Sequence, residues 1–222
     1  MTERSKSPRE IASFEAPIVF VIDDDESMRR ALTNLFESVD LRVETFGSGS
    51  EFLRRNLPDV PSCIVLDIRL PGMSGLEFQT LLEKAAIHVP IVFMTGHGDI
   101  PMTVKAMKAG AADFLAKPFR QQVMLEAVMA AIERDRMRRK DEKIVSNLRE
   151  RFETLTPRER EILACVSAGL MNKQIAAEFG IAEITVKLHR THLTKKMGTR
   201  SLAELLRAAE MLRVHRAKPE QT

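Results

Sequence analysis

Acids, a hydroxyl and an ammonium stand where the apolar runs of this 222-residue chain end. The run IVFVI stops at Asp23-Asp24-Asp25, CIVL at Asp67, IVFM at Thr95 and DFLA at Lys117. Carboxylates brought together repel one another unless a cation neutralises them, and a hard, oxygen-preferring ion such as Mg²⁺ suits such a site. Beside the ion, one carboxylate can act as a nucleophile toward phosphorus and form an acyl phosphate. A hydroxyl and an ammonium can then hold the oxygens of the transferred phosphoryl group. All of this requires the four run ends to meet in one crevice.

The pattern of elements predicts that they do. Short runs at Ile18–Ile22, Arg42–Phe46, Cys63–Leu66, Ile91–Met94 and Asp113–Ala116 alternate with amphipathic stretches near Ser27–Ser38, Ser48–Arg55, Gly75–Lys84 and Ile100–Ala109. A fifth such stretch starts near Arg120. Strands that read as continuous apolar runs are typical of a parallel sheet covered on both faces. Five βα units therefore predict an α/β domain with a doubly wound, five-stranded parallel sheet. Ligand sites of such sheets gather at the carboxyl ends of the strands.

The helix from Arg120 continues without Gly or Pro through ERDRMRRKDEK, where its apolar stripe fades after Ile132. That charged run reads as an exposed helical linker with a solvated face, and the domain boundary is expected near Arg136–Arg149. Beyond Thr154 the strand signals stop. Thr156-Pro157-Arg158-Glu159 fits a capping box, opening a helix over Pro157–Ala168 that Gly169 ends. Asn172 is expected to cap a short helix through Phe179, closed by Gly180. A third helix spans Glu183 to just before Gly198, and a fourth covers Ser201–Arg213. The second domain is therefore all-α, with four short helices.

On the third of these helices, at about 100° per residue, Val186, Leu193 and Met197 share one direction and mark the core face. Leu188 and Lys195 then point nearly opposite, with Lys187, Thr191 and His192 on the flanks. An exposed leucine ringed by Lys, Thr and His suits a helix in a DNA major groove. Charge agrees. Residues 1–133 hold 14 Lys+Arg against 19 Asp+Glu, whereas residues 151–222 hold 13 against 8. A basic half points to an anionic partner. A protein-docking bundle is the alternative, and a salt-dependent gel shift separates the two.

Composition excludes other classes. Apolar residues make up 44 % and charged residues 29 %, ordinary for a soluble protein with a core. No apolar run approaches the roughly 20 residues of a membrane span, and no secretory signal precedes the first strand. Cys63 and Cys165 match no metal spacing and read as buried thiols in a reducing cytoplasm.

The motifs VIDDDES, VLDIRLPGMSG, MTGHGD and FLAKPF, in that order, resemble the receiver domain of bacterial two-component response regulators, a flavodoxin-like fold. The resemblance implies that Asp67 is the phosphoacceptor. It implies that Asp24, Asp67 and the backbone carbonyl of Arg69 bind Mg²⁺, with Asp23 acting through water. Thr95 would be the switch hydroxyl, Lys117 the phosphate-binding cation and Phe114 the aromatic switch, and the Lys117–Pro118 peptide would be cis. Asp25 and Glu26 read as helix-start acids, and His97 and Asp99 as loop or capping residues. An enzyme reading competes, because Asp23-x-Asp25-x-Ser27 also resembles the nucleophile motif of haloacid-dehalogenase-type phosphohydrolases. That family needs a further acidic pair beyond the lysine, and it would leave Asp67 without a role.

The stretch LTPREREILACVSAGLMNKQIAAEFGIAEITVKLHRTHLTKKMG resembles the LuxR-type helix-turn-helix. With the receiver ahead of it, the chain resembles the NarL/FixJ group, in its FixJ-like branch. The resemblance implies base-groove contacts from Lys187, Leu188 and Thr191, and backbone contacts from Asn172, Thr185 and Lys195. Arg190 falls near the core edge, where its stem packs. The expected organisation is a disordered tail over 1–15, a receiver over 16–133, a helical linker over 134–152, a helix-turn-helix domain over 153–216 and a tail over 217–222. The expected function is a cytoplasmic, non-enzymatic response regulator. A sensor histidine kinase phosphorylates it on Asp67, and it then binds promoter DNA as a dimer, with RNA polymerase as a further partner.

Overall fold

The computed structural model describes residues 16–96 and 100–214. The two expected tails, 1–15 and 217–222, lie outside the described residues, as do His97 and Asp99. The chain divides into two compact units between Arg139 and Lys140.

In the first unit the strands are β1 (Ile18–Ile22), β2 (Arg42–Phe46), β3 (Ser62–Asp67), β6 (Ile91–Thr95) and β7 (Asp113–Ala116). They form one sheet in the order β2-β1-β3-β6-β7, with every pair parallel. Between β3 and β6 lies a hairpin of β4 (Arg69–Leu70) and β5 (Met73–Ser74). Sequence periodicity does not reveal it, but Pro71-Gly72 is a turn dipeptide and Gly72 takes φ 78°. The helices are α1 (Glu26–Glu37), α2 (Gly49–Leu53), α3 (Gly75–Lys84), α4 (Ile100–Lys108) and α5 (Gln121–Glu153).

Alternation along the strands sorts the core into two layers. Ile18, Phe20, Ile22, Ile64, Leu66 and Phe93 point to one face, where they meet Phe52 and Phe78 from α2 and α3. Val19, Val21, Val65 and Val92 point to the other, against Leu32 and Phe36 of α1 and Met124 and Val128 of α5. Both faces are covered, which is why these strands read as unbroken apolar runs.

The charged run after Ile132 is not wholly solvated, contrary to expectation. Asp135 is fully buried and accepts the Ser62 backbone N–H at 2.9 Å. Its carboxylate also accepts Arg138 Nη2 at 2.6 Å and Arg139 Nε at 2.7 Å. These bonds satisfy a donor at the open start of β3 and hold α5 on the sheet for a further turn.

The second unit holds the end of α5 and α6 (Pro157–Ser167), α7 (Asn172–Phe179), α8 (Glu183–Met197) and α9 (Leu202–Met211). The capping box at Thr156 and Glu159 is present, with Pro157 in the first turn. Its core gathers Ile162, Leu163, Val166, Ile175, Val186, Leu193, Met197 and Leu205. Helix ends shift by a residue or two, with α6 stopping at Ser167 rather than Ala168 and α9 spanning Leu202–Met211 rather than Ser201–Arg213. Asn172 is not the N-cap of α7, a position Met171 holds. The Gln174 side chain turns back to accept the Met171 N–H at 2.8 Å, which closes the helix one residue earlier.

Gly75, the first residue of α3, sits against the site-bearing end of β3. A Cβ there would lie 2.9 Å from the Phe93 ring, 3.0 Å from Ile68 Cα and 3.1 Å from the Asp67 carbonyl oxygen. Two of these neighbours are backbone atoms that cannot rotate away. Gly75→Ala is expected to lower stability by about 1–3 kcal/mol. Gly47→Ala, whose nearest neighbours would be 3.8 and 3.9 Å away, is the matched control. Urea denaturation of both variants checks it, and equal midpoints would contradict the packing account.

Candidate functional site

Parallel pairing places the ends of β1, β3, β6 and β7 along one edge of the sheet, and three acids converge there. Asp23, Asp24 and Asp67 each offer a carboxylate oxygen within 4.8 Å of the others, with Asp23 buried, Asp67 half-buried and Asp24 exposed. Lys117 reaches from just beyond β7, its Nζ donating to Asp67 Oδ2 at 2.6 Å and to Asp23 Oδ2 at 2.9 Å. The Lys117–Pro118 bond is cis. The other oxygens are also engaged, Asp23 Oδ1 by the Asp25 N–H at 2.9 Å and Asp67 Oδ1 by the Arg69 N–H at 2.9 Å.

The electrostatics follow from this geometry. Burial pushes the Asp23 carboxyl above its ordinary range, a rise that the hydrogen bonds from Lys117 and the Asp25 N–H only partly offset. Burial works against the Lys117 charge, but the bonds to Asp67 and Asp23 outweigh it and raise its pKa. The ammonium therefore stays charged as counter-ion of the acids. An all-oxygen donor set with surplus negative charge has the chemistry of a hard-cation site.

Thr95, the last residue of β6, is buried, and its carbonyl accepts the Lys117 N–H at 2.6 Å. Phe114 is half-buried, with its ring centroid 6.4 Å from that of Phe93. Asp25 stands apart from the cluster as the N-cap of α1, accepting the Ser27 N–H at 2.8 Å. The phosphohydrolase reading thereby loses its second acid. Sequence reasoning missed Arg29, which follows Asp23 by six residues. Its Nη1 donates to the carbonyls of Asp23 at 2.6 Å and Asp24 at 3.0 Å and so holds the acidic loop in place.

In the second unit, α8 divides as the helical wheel requires. Val186, Leu193 and Met197 are fully buried, whereas Leu188 is 54 % exposed and Ile184 71 %. Lys187, Thr191 and Lys195 are exposed, and Thr185 is half-buried. Asn172 lies at the start of α7 and accepts Arg190 Nη1 through Oδ1 at 2.6 Å. Arg190 therefore does more than pack its stem, since it ties α8 to α7.

Glu159 is buried and ties the far end of α8 to α6. It accepts Lys196 Nζ at 2.7 Å as well as the Thr156 N–H at 2.8 Å. Burial disfavours its charge, but Lys196 and Thr156 together outweigh that and lower its pKa.

Two family models match the chain, the response regulator receiver domain over residues 19–129 and the LuxR family of bacterial regulatory proteins over 153–209. The chain belongs to the response regulators that join a receiver domain to a LuxR-type DNA-binding domain. Nodulation protein W of Bradyrhizobium diazoefficiens is 60 % identical over 205 residues, covering 92 % of this chain and 90 % of that protein. The transcriptional regulatory protein FixJ of Azorhizobium caulinodans is 43 % identical over 191 residues, covering 86 % and 90 %. The solved structure of the response regulator StyR superposes with a TM-score of 0.77 at 49 % identity, covering 88 % of this chain and 98 % of that one. Such relatives are regulators rather than enzymes. Among the described residues, no helix is long and apolar enough to cross a membrane.

The Glu159 tie has a pH signature. A folded-state pKa held below its ordinary value of 4.5 contributes stability that is present above that value. The contribution is lost as pH falls through the lowered one. Glu159→Gln is expected to cost about 1 kcal/mol at pH 7, and the gap should close on acidification below the ordinary carboxylate range. Urea denaturation of wild type and variant at neutral and acidic pH measures it, and a pH-independent gap would refute the charge-based account.

Proposed function

We propose that Asp67 accepts a phosphoryl group from a sensor histidine kinase and that this modification promotes promoter binding by the second unit. The observation that carries the reading is the Lys117 ammonium 2.6 Å from Asp67 in a cluster shared with Asp23 and Asp24. A carboxylate oxygen of Asp67 attacks the phosphorus of a phosphohistidine. The P–O bond forms as the P–N bond breaks, and the imidazole leaves with the electron pair and takes up a proton. Lys117 has three N–H donors, of which Asp23 and Asp67 take two, so the third serves a phosphoryl oxygen. The Thr95 hydroxyl serves another, and Phe114 follows that movement as the aromatic switch. Asp24, Asp67 and the Arg69 carbonyl would hold Mg²⁺ directly and Asp23 through water. Once bound, the ion offsets the charge of the incoming phosphoryl group.

New negative charge beside Thr95 and Lys117 draws the ends of β6 and β7 toward it. The surface of α4 and the start of α5, where Val104, Met107 and Val123 are 40–45 % exposed, is remodelled and pairs with a second copy. Two linked DNA-binding domains then gain through effective concentration on an operator of two half-sites. On α8, Lys187, Leu188 and Thr191 meet base edges, while Thr185, Lys195 and Asn172 meet the backbone. RNA polymerase at the bound promoter is the downstream partner, and the cytoplasm is the compartment.

With Mg²⁺ and a small phosphodonor, intact mass should rise by one phosphoryl group in wild type and by none in Asp67→Asn or Asp24→Ala. Sedimentation of the same samples should show dimer in the labelled protein alone. Equal labelling of Asp67→Asn would end the assignment. For readout, Leu188→Ala should weaken specific binding by about 1–3 kcal/mol and leave nonspecific binding unchanged. Lys195→Ala should weaken all sequences alike and flatten the salt dependence by about one unit. Titrations over a range of salt concentrations separate the two, and an unaltered operator preference in Leu188→Ala would show that α8 presents another face.

A further inference from the structure

The C-terminal turn of α8 is finished by a side chain from another helix. The last carbonyls of a helix have no partner within it, and α8 ends with Gly198 in the left-handed region at φ 66°. The Gly198 N–H returns to the Lys195 carbonyl at 3.2 Å and the Thr199 N–H to the Thr194 carbonyl at 3.1 Å. The Met197 carbonyl accepts instead from Arg151 Nη1 at 3.0 Å, a guanidinium carried by the last turn of α5. A cation at this end also complements the helix dipole.

Gly198 makes room for that guanidinium. A Cβ at this position would lie 1.8 Å from Arg151 Nη1 and 2.8 Å from its Cζ. The end of α5 is fixed on the same unit by further contacts. Phe152 and Leu148 pack against its core, the Arg160 guanidinium lies 5.1 Å from the centre of the Phe152 ring, and Arg160 Nη2 donates to the Glu153 carbonyl at 3.0 Å.

We infer that Arg151 is a positioning residue for DNA recognition: by capping α8 from α5, it fixes the tilt at which Lys187, Leu188 and Thr191 meet the bases. The inference rests on the proposal that α8 reads DNA. Arg151 acts through α8 and not through phosphate, so its loss should lower sequence preference without changing the electrostatics of binding.

The test uses the full chain treated with phosphodonor. Its probes are a duplex that the wild type enriches from a random-sequence pool and a shuffled duplex of the same composition. Arg151→Ala is expected to weaken binding to the enriched duplex about five- to tenfold, the net scale of one ordinary hydrogen bond. Gly198→Asn should have the same effect, because Asn tolerates the left-handed backbone while its Cβ expels the guanidinium. The double variant should lose no more than either single one, since both remove one interaction. Arg151→Lys should recover most of the affinity. Binding to the shuffled duplex and the salt slope should stay at wild-type values, while amide exchange at Lys195–Thr199 accelerates. Should Arg151→Ala lose amide protection in α6, Arg151→Gln, which keeps the alkyl stem, takes its place.

Unchanged affinity in the single variants, or additive losses in the double one, would overturn the inference. A salt slope reduced by about one unit would also overturn it, making Arg151 a phosphate contact. A wild type that enriches no duplex would instead fail the reading of α8 itself.

Discussion

Three carboxylates within 4.8 Å of one another are a liability in any fold, and the Lys117 ammonium is what makes the arrangement tenable. Its bonds to Asp23 and Asp67 span the sheet, because Asp23 follows β1 and Asp67 ends β3 while Lys117 follows the edge strand β7. The sheet order and the uniform strand direction serve this one contact, since a single antiparallel strand would carry its terminal residue to the opposite edge. The surrounding polar bonds serve it too. Arg29 holds the Asp23 and Asp24 carbonyls, and backbone N–H groups of Asp25 and Arg69 take the second carboxylate oxygens of Asp23 and Asp67.

Much of this was legible in the sequence, for a physical reason. A sheet buried on both faces writes its strands as apolar runs, and a run's end marks where a polar side chain can emerge. Asp23, Asp67, Thr95 and Lys117 were therefore visible as a set once the sheet was taken as parallel. The four short helices were legible through their stop and start residues, with Thr156 at an N-cap and Gly180 and Gly198 just past C-termini.

What the sequence concealed were long-range partners of polar residues. Asp135 lies in a run of charges and carries no local mark of burial, because its partner Ser62 is 73 residues away. Arg151 is of the same kind, an ordinary-looking charge on a helix that is committed to the Met197 carbonyl, which only the fold brings near. Glu159 was legible as a capping acid, but its partner Lys196 was not, and Arg29 turns back onto carbonyls five and six residues before it. The misplaced cap of α7 differs, being a local error. Asn is the better capping residue, but Gln174 three residues after Met171 supplies a side-chain acceptor from within the helix.

The second unit separates the residues that hold α8 from those that face outward. Val186, Leu193 and Met197 fill the core, Arg190 and Lys196 tie the helix to α7 and α6, and the Met197 carbonyl binds α5. Among the described residues, Lys187 pairs only with Glu183 one turn away, and the Thr191 hydroxyl donates only to the Lys187 carbonyl. The outward face thus contributes almost nothing to the fold, and its side chains can change without cost to the helix that carries them. A core-facing pattern is dictated by packing and can be read from periodicity. A free face is constrained by whatever it meets, which is why the exposed position of Leu188 followed from the sequence while the surface it serves did not.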